Sequence, residues 1–459
     1  MGPGLVHDLY ELTMAASYLR RGMTQSATFS LFVRQLPPSR GFLVAAGLED
    51  VLRLLPQISF DDADLAWLGH QGFDGETLDA FRELRFTGDV WAVPEGRVIF
   101  ADEPLIEVTA PLPQAQLIET MVLNQVTYQT ALATKAARCC LAAGGRASLV
   151  DFALRRTHGL EAGMTVARAA ALAGFAGTSN VEAARRLGID AVGTMAHSYV
   201  EAFPTERDAF VAFAEDWPDR TTFLVDTYDT LNGVETALDV ARAVGLPGRV
   251  GVRLDSGDLL ALSKEARRLL DRAGRHDVTI VASGGLDELD VQRLLDEGAP
   301  IDTFGLGSKI GVSSDAPSLD TAYKLVEYAG RPVMKLSPGK ETLPGPKQVY
   351  RADLDAGDVL ASRSEPPPAG WSPLLAEVMC AGERPAPAED LAVTAGRLAA
   401  DLAVLPPAAR HLRTPTPVPV RRSERLAALT ADVGQAHRPG PRAVVRDGPL
   451  VPRPTTDRL

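Results

Sequence analysis

The chain has 459 residues, 46% hydrophobic and 23% charged, an ordinary globular balance long enough to fill two domains or more. Its formal net charge of -12 argues against a nucleic-acid surface, which needs a basic stripe to displace counterions, so any phosphate it binds must be held locally. Three cysteines, Cys139, Cys140 and Cys380, two of them adjacent, leave no room for a disulfide framework or a four-ligand zinc site and fit a reducing cytoplasm.

The start, MGPGLVHDLYELTMA, lacks the basic region and apolar core of an export signal, and no later stretch approaches the roughly 18 uninterrupted apolar residues of a membrane span. A soluble, cytoplasmic protein with no membrane partner is expected. Residues 8–23 carry apolar side chains at helical spacing with Gly22 as a stop, and ATFSLFVRQLP then predicts a strand. A polar helical stretch runs to residue 85, and GRVIFADEPLIEVTAPL predicts two short strands around a turn at Asp102 to Pro104. These segments make one sheet-based domain over residues 1–118. The next segment, QLIETMVLNQVTYQTALATKAARCCLAAG, is one long helical pattern closed by Gly144, and it links that domain to the next.

From residue 148 apolar runs recur, each followed by polar residues and a helical segment: SLVDF, FAGTSN, AVGTMAH, TFLVDTYD, VGVRLDSGD, VTIVASGG and IDTFGLGS. This alternation means βα units and a parallel sheet. Seven runs predict a closed or nearly closed α/β barrel over residues 119–320, with an open doubly wound sheet as the alternative; both place a site at the carboxyl ends of the strands. After residue 320, AYKLVEYAGRPVMKLSPGKETLPGPKQVYR returns to strand-like alternation, expected to complete the first sheet over 321–404 together with a helical cap. Beyond residue 405 the chain is rich in proline and arginine and poor in aromatics, which predicts a mobile tail over 405–459, with a docked tail as the alternative.

Several strand ends carry groups suited to a sugar phosphate. GVRLDSGD places Arg253 and Asp255 two apart, on one face of a strand; they either grip a phosphate and a ribose or a metal ion, or form an ion pair that stabilises the strand end. VASGGLDE and TFGLGSKIG put glycines directly after strands, where bare N–H groups and a following helix can cradle a phosphate, or simply turn the chain. Neither is a Walker A sequence or a dinucleotide fingerprint. LVDFALRRTHG sets Phe152 and the Arg155-Arg156 pair where they could stack an aromatic ring and neutralise its carboxylate, or serve as core and solvated surface. In MAHSYVEAF, His197 can be a base, a hydrogen-bond donor, a phosphoryl acceptor or a structural residue.

Read together, DLYELTM, FALRRTHG, GTSNVEAARRLGI, GTMAHSYV, LVDTYDTLNG, GVRLDSGDL, SGGLDE, DTFGLGSKI, YKLVEY and TLPGPKQVYR, in unbroken order from residue 5 to residue 350, resemble the nicotinate phosphoribosyltransferase family. The resemblance implies a type II phosphoribosyltransferase: an irregular TIM-like α/β barrel with an N-terminal α/β sandwich-like domain completed by returning C-terminal strands. It implies the joining of nicotinate to 5-phosphoribosyl 1-pyrophosphate, giving nicotinate mononucleotide and pyrophosphate in NAD biosynthesis and salvage, with ATP as co-substrate and Mg2+ as cofactor. The matching roles are phosphorylation by ATP for His197, stacking on the pyridine for Phe152, and clamping of its carboxylate for Arg155. Arg253 and Asp255 match contacts to substrate phosphate and ribose. Gly284, Gly285, Gly307 and Ser308 match the 5′-phosphate cradle. Tyr10 matches a residue that reaches over from a partner subunit, which implies a homodimer with shared sites. No direct metal ligand is assigned.

Two alternatives would differ at these residues. A nicotinamide-using relative would have an aspartate at the position of Ser179, so Ser179 favours the acid substrate. A catalytically silent scaffold would be expected to have lost at least one of Tyr10, Phe152, Arg155, His197, Arg253 and Asp255, all of which are present.

Overall fold

The helix Glu119–Ala143 serves two hydrophobic cores at once. Met121, Val122 and Val126, near its start, pack into the N-terminal core, whereas Leu132, Ala136 and Ala142 pack into the barrel core. Residues 129–139 are buried without interruption, so this segment has no solvent face. Gly144, at a φ of 55°, ends it in the left-handed conformation that suits glycine. The computed structural model describes residues 4–246 and 250–436.

On the N-terminal side, a six-stranded antiparallel sheet has the order Arg331–Pro332, Thr321–Tyr328, Ser26–Val33, Pro104–Pro111, Asp89–Ala92, Ala376–Met379. The chain therefore contributes to this sheet from both ends. The helix Leu9–Arg20 packs by Leu12, Ala15 and Ala16 into its core. The two strands expected around Asp102 separate: Val98–Ile99 pairs with Leu43–Val44, while Pro104–Pro111 joins the large sheet. Asp102, at a positive φ of 66°, makes the turn that parts them.

The parallel sheet has the order Gly177–Thr178, Ser148–Asp151, Thr303–Leu306, Thr279–Ala282, Gly251–Leu254, Thr222–Leu224. The first and last strands in sequence, Ser148–Asp151 and Thr303–Leu306, are neighbours, so the strands curl as a barrel does rather than in a doubly wound order. The ring is open between Gly177–Thr178 and Thr222–Leu224, where the AVGTMAH run lies. That run forms only the isolated bridge between Thr178 and Ala191 instead of a seventh strand. Its Thr194 hydroxyl and Met195 carbonyl accept from the Arg253 side chain, so a guanidinium takes up groups past the bridge.

The segment after residue 320 divides. Thr321–Tyr328, Arg331–Pro332 and Ala376–Met379 join the N-terminal sheet, whereas Ser372–Pro373, Lys347–Arg351, Asp358–Ser362 and Val420–Arg422 form a separate four-stranded sheet. Residues 405–436, expected as part of a mobile tail, are instead docked. Leu405, Ala409, Leu412 and Val418 are buried in the barrel core and Leu426 in the N-terminal core, and the helix Glu424–Ala436 follows. Low aromatic content misled here, because aliphatic side chains spaced among prolines suffice to anchor an irregular segment. Residues 437–459 of that expected tail lie outside the described residues. Among the described residues no helix is long and apolar enough to cross a membrane.

A chain ending at residue 404 should be destabilised by several kcal/mol, since burial of each large aliphatic side chain is worth about 1.5–3 kcal/mol. Thermal unfolding of the truncated protein checks this; an unchanged melting temperature would show that the docking is not energetically significant.

Candidate active site

The carboxyl ends of the parallel strands carry the polar residues of their motifs into two adjoining depressions that share Phe152, Arg155, Arg253 and Asp255. The larger, a cleft of about 320 Å³, is also lined by Leu154, Ser179, Thr194, Met195 and His197. The smaller, of about 170 Å³, adds Arg156, Ser283, Gly284, Gly285, Gly305, Gly307 and Ser308. All of the sequence-predicted site residues except Tyr10 therefore meet in one place. Tyr10 lies on Leu9–Arg20, a helix of the N-terminal domain, and is 45% exposed.

Arg253 is mostly buried, and its donors are largely committed within the chain. Nε donates to the Ser283 hydroxyl (2.8 Å), Nη1 to Thr194 (2.9 Å) and Nη2 to Asp255 (2.5 Å). Its guanidinium carbon also stands 5.6 Å from the centre of the Phe152 ring. Arg253 thus braces the strand end, the seam residue Thr194 and the Phe152 ring together. Arg155, in the short turn Leu154–Arg156, is exposed and has no hydrogen bond or ion pair with the described residues, so its guanidinium is free for an anion.

Asp255 uses Oδ1 to accept from Arg253 and Ser283, and its Oδ2 lies 3.9 Å from His197 Nε2. Burial pushes the Asp255 carboxyl up, but the Ser283 hydroxyl, Arg253 and His197 outweigh burial and hold it below the usual carboxylate range. It is therefore an anion at neutral pH. The contribution of these contacts to stability is present above the unfolded carboxyl pKa of about 3.9 and is lost as pH falls through the lower folded value. His197 opens the helix His197–Glu201, and its Nδ1 is within hydrogen-bonding distance of the Thr227 hydroxyl, at 3.1 Å.

Asp226, just past Thr222–Leu224, was not singled out from the sequence. Its Oδ2 accepts from the Asp255 amide (3.0 Å) and the Ser256 hydroxyl (2.6 Å), while Oδ1 is buried with no hydrogen-bond partner among the described residues. An orphaned carboxylate oxygen of this kind is a place for a cation or a donor from a ligand. The available signal was an aspartate immediately after the apolar TFLV run.

Two glycines of the smaller depression are sterically required. At Gly284, with φ at 104°, a Cβ would lie 2.1 Å from the Asp255 carbonyl oxygen; at Gly305 it would lie 2.5 Å from the Phe152 ring. Close approach of bare backbone shapes both the smaller depression and the seat of the ring.

Replacing Gly305 with alanine should displace the Phe152 ring while leaving the strand able to form. A crystal structure of the variant would show the ring moved; an unmoved ring would show that the backbone yields instead.

Residues 5–127 match the family described as nicotinate phosphoribosyltransferase N-terminal domain, and residues 147–346 match the nicotinate phosphoribosyltransferase family. A nicotinate phosphoribosyltransferase of Mycobacterium tuberculosis is 48% identical over 96% of each chain. One from Bacillus subtilis is 45% identical over 75% of this chain and 72% of its own. The crystal structure of human nicotinic acid phosphoribosyltransferase superposes with a TM-score of 0.82 at 31% identity, covering 93% of this chain and 99% of the human one.

Proposed function

The chain belongs to the nicotinate phosphoribosyltransferase family, and we propose that it makes nicotinate mononucleotide and pyrophosphate from nicotinate and 5-phosphoribosyl 1-pyrophosphate, coupled to ATP hydrolysis through phosphorylation of His197. The observation that carries this reading is the continuity of the two depressions. The aromatic ring of Phe152, the unpaired guanidinium of Arg155 and the Asp255 carboxylate line both, and the smaller adds the glycine loops.

In this mechanism Phe152 stacks on the pyridine and Arg155 pairs with its carboxylate. Ser179 presents a hydroxyl rather than a second negative charge. The N–H groups around Gly284, Gly285, Gly307 and Ser308 hold the 5′-phosphate, with Asp255 at the ribose. The pyridine nitrogen then forms its bond to the anomeric carbon as the bond to pyrophosphate breaks. The transition state resembles an oxocarbenium ion, so catalysis is positioning plus electrostatic help to the departing group. Mg2+, when bound, supplies much of that help by neutralising pyrophosphate charge. Asp226 and Asp255 are the residues that would hold it, because each keeps one carboxylate oxygen without a hydrogen-bond donor among the described residues.

His197 Nδ1 is engaged by Thr227, which leaves Nε2, on the Asp255 side, to attack the terminal phosphorus of ATP. The N–P bond forms as ADP leaves, and water later cleaves it to phosphate. While present, the phosphoryl group adds a charge of about -1.5 to -2 beside the site. That charge would help hold a bound Mg2+ against the pyrophosphate, and hydrolysis of the phosphohistidine displaces an otherwise balanced equilibrium.

A cytoplasmic homodimer is part of the proposal. Val6 and Leu9 are exposed beside Tyr10, and Leu160 and Val181 stand exposed at the starts of the helices Leu160–Ala173 and Val181–Leu187 on the barrel. A twofold pair can cover both patches at once and bring Tyr10 of the partner subunit to the open face of the pyridine.

Mononucleotide formation assayed with nicotinate or nicotinamide, each with and without ATP, tests the reading. Product from nicotinate, stimulated by ATP, is expected, and no product from either base would overturn it. His197→Ala should keep weak ATP-independent transfer and lose ATP stimulation; full coupling in that variant would refute the phosphohistidine. Ser179→Asp should lower kcat/KM for nicotinate by roughly tenfold or more, about 1.4 kcal/mol of repulsion, relative to nicotinamide.

A further inference from the structure

The two glycine loops belong to different βα units, yet one buried group of charges ties them together. The first loop, Ser283 to Leu286, runs into the helix Glu288–Asp296, whose Glu288 is 2% exposed. The second, Gly305 to Ser308, runs through the turn Ser308–Gly311 to Asp315. Both carboxylates are gripped by one face of Glu119–Ala143. Lys135 Nζ stands 2.5 Å from Glu288 Oε2 and 3.1 Å from Asp315 Oδ1, and Arg138 Nε donates to Glu288 Oε1 at 3.0 Å. Lys135 and Arg138 are three residues apart, so they project side by side.

Further bonds complete the cluster. Arg40, 1% exposed, donates to both oxygens of Asp315, to the Ser313 hydroxyl and to the Ala131 carbonyl. Arg138 also donates to the Ser39 and Leu412 carbonyls, which ties in the first domain and the docked C-terminal segment. Lys309, next to Ser308, donates to Asp287 and Asp290 and so laces the second loop directly to the first. Burial pushes the Asp315 carboxyl up, but Arg40 and Lys135 outweigh it and hold it far below the usual carboxylate range.

Buried ion clusters of this kind contribute little net stability compared with apolar packing of the same shape, because desolvation cancels most of the attraction. What they do supply is fixed geometry: each charge tolerates only the arrangement that pairs it. From this placement we propose that Lys135 and Arg138, through Glu288 and Asp315, are positioning residues that hold the two glycine loops at the spacing a single phosphate needs. They therefore set the affinity for the phosphoribosyl substrate without touching it. The inference rests on the reading that those loops hold the 5′-phosphate.

The test is a comparison of wild type, Lys135→Met/Glu288→Gln, Lys135→Arg and Gly284→Ala. The double variant removes one charge of each sign and keeps the cluster's net charge, leaving Arg138 with Asp315, at 3.9 Å, as its remaining carboxylate. Its KM for 5-phosphoribosyl 1-pyrophosphate should rise at least roughly tenfold, with calorimetric affinity for that compound falling in parallel and KM for nicotinate little changed. Lys135→Arg should restore most of the affinity. An unchanged KM for 5-phosphoribosyl 1-pyrophosphate in the double variant, or an equal rise in both KM values alongside a fall in melting temperature, would overturn the proposal. Should the double variant not fold, Glu288→Asp, which keeps the charge but shortens the reach, must show the same selective rise. Wild type without product would sink the proposed function instead, and Gly284→Ala binding the phosphoribosyl compound normally would sink the loop assignment.

Discussion

Lys135 and Arg138 reach Glu288 and Asp315 from a helix segment with no solvent-facing side, and this buried grip constrains most of what surrounds it. A buried cation without its carboxylate costs several kcal/mol, so the helix cannot rotate or slide without breaking every pairing together. The same helix supplies apolar side chains to both cores. The orientation of the N-terminal sheet relative to the barrel is thereby coupled to the geometry of the glycine loops. The site at the strand ends is joined to that grip through the chain from the first loop to Glu288 and from the second to Asp315.

Within the site the chain separates two electrostatic tasks. Arg253 spends its donors on Ser283, Thr194 and Asp255 and acts as a brace, while Arg155 and Arg156 stand on the rim without side-chain partners among the described residues. Of the two readings that spacing alone leaves open for Arg253 and Asp255, the strand-end ion pair is formed, and Asp255 pairs through one oxygen and keeps the other toward His197. A chain with net charge -12 can in this way present a positive rim and bare N–H groups to an anion over a small area.

The open seam of the barrel follows from where the buried Arg253 guanidinium finds its acceptors. Ala191 bridges to Thr178, but the chain beyond it gives Thr194 and Met195 to Arg253, leaving His197 at the start of a short helix beside Thr227. A seventh strand there would carry those groups into a backbone ladder. The docked segment after residue 405 shows the same principle at larger scale. Gly41 lies so close to the Ala409 carbonyl that a Cβ would sit 2.4 Å from it, and Leu405 and Leu412 are buried in the barrel core.

Sequence alone determined the βα rhythm, the strand-end motifs and the family, because hydrophobic period and glycine placement are local properties of the chain. The six described strands of the parallel sheet all lie in runs legible as apolar segments, and Phe152, Arg155, His197 and Asp255 could be named from their positions at or just past the ends of those runs. Only the tertiary structure decided that AVGTMAH stays out of the ladder, that residues 405–436 dock, that Asp226 keeps an orphaned oxygen, and that Lys135 and Arg138 grip two distant loops. Each of these depends on partners far apart in the chain, as Arg138 and Glu288 are, separated by 150 positions. A charged residue at helical spacing reads the same whether it meets water or a buried carboxylate, and only the fold tells the two apart.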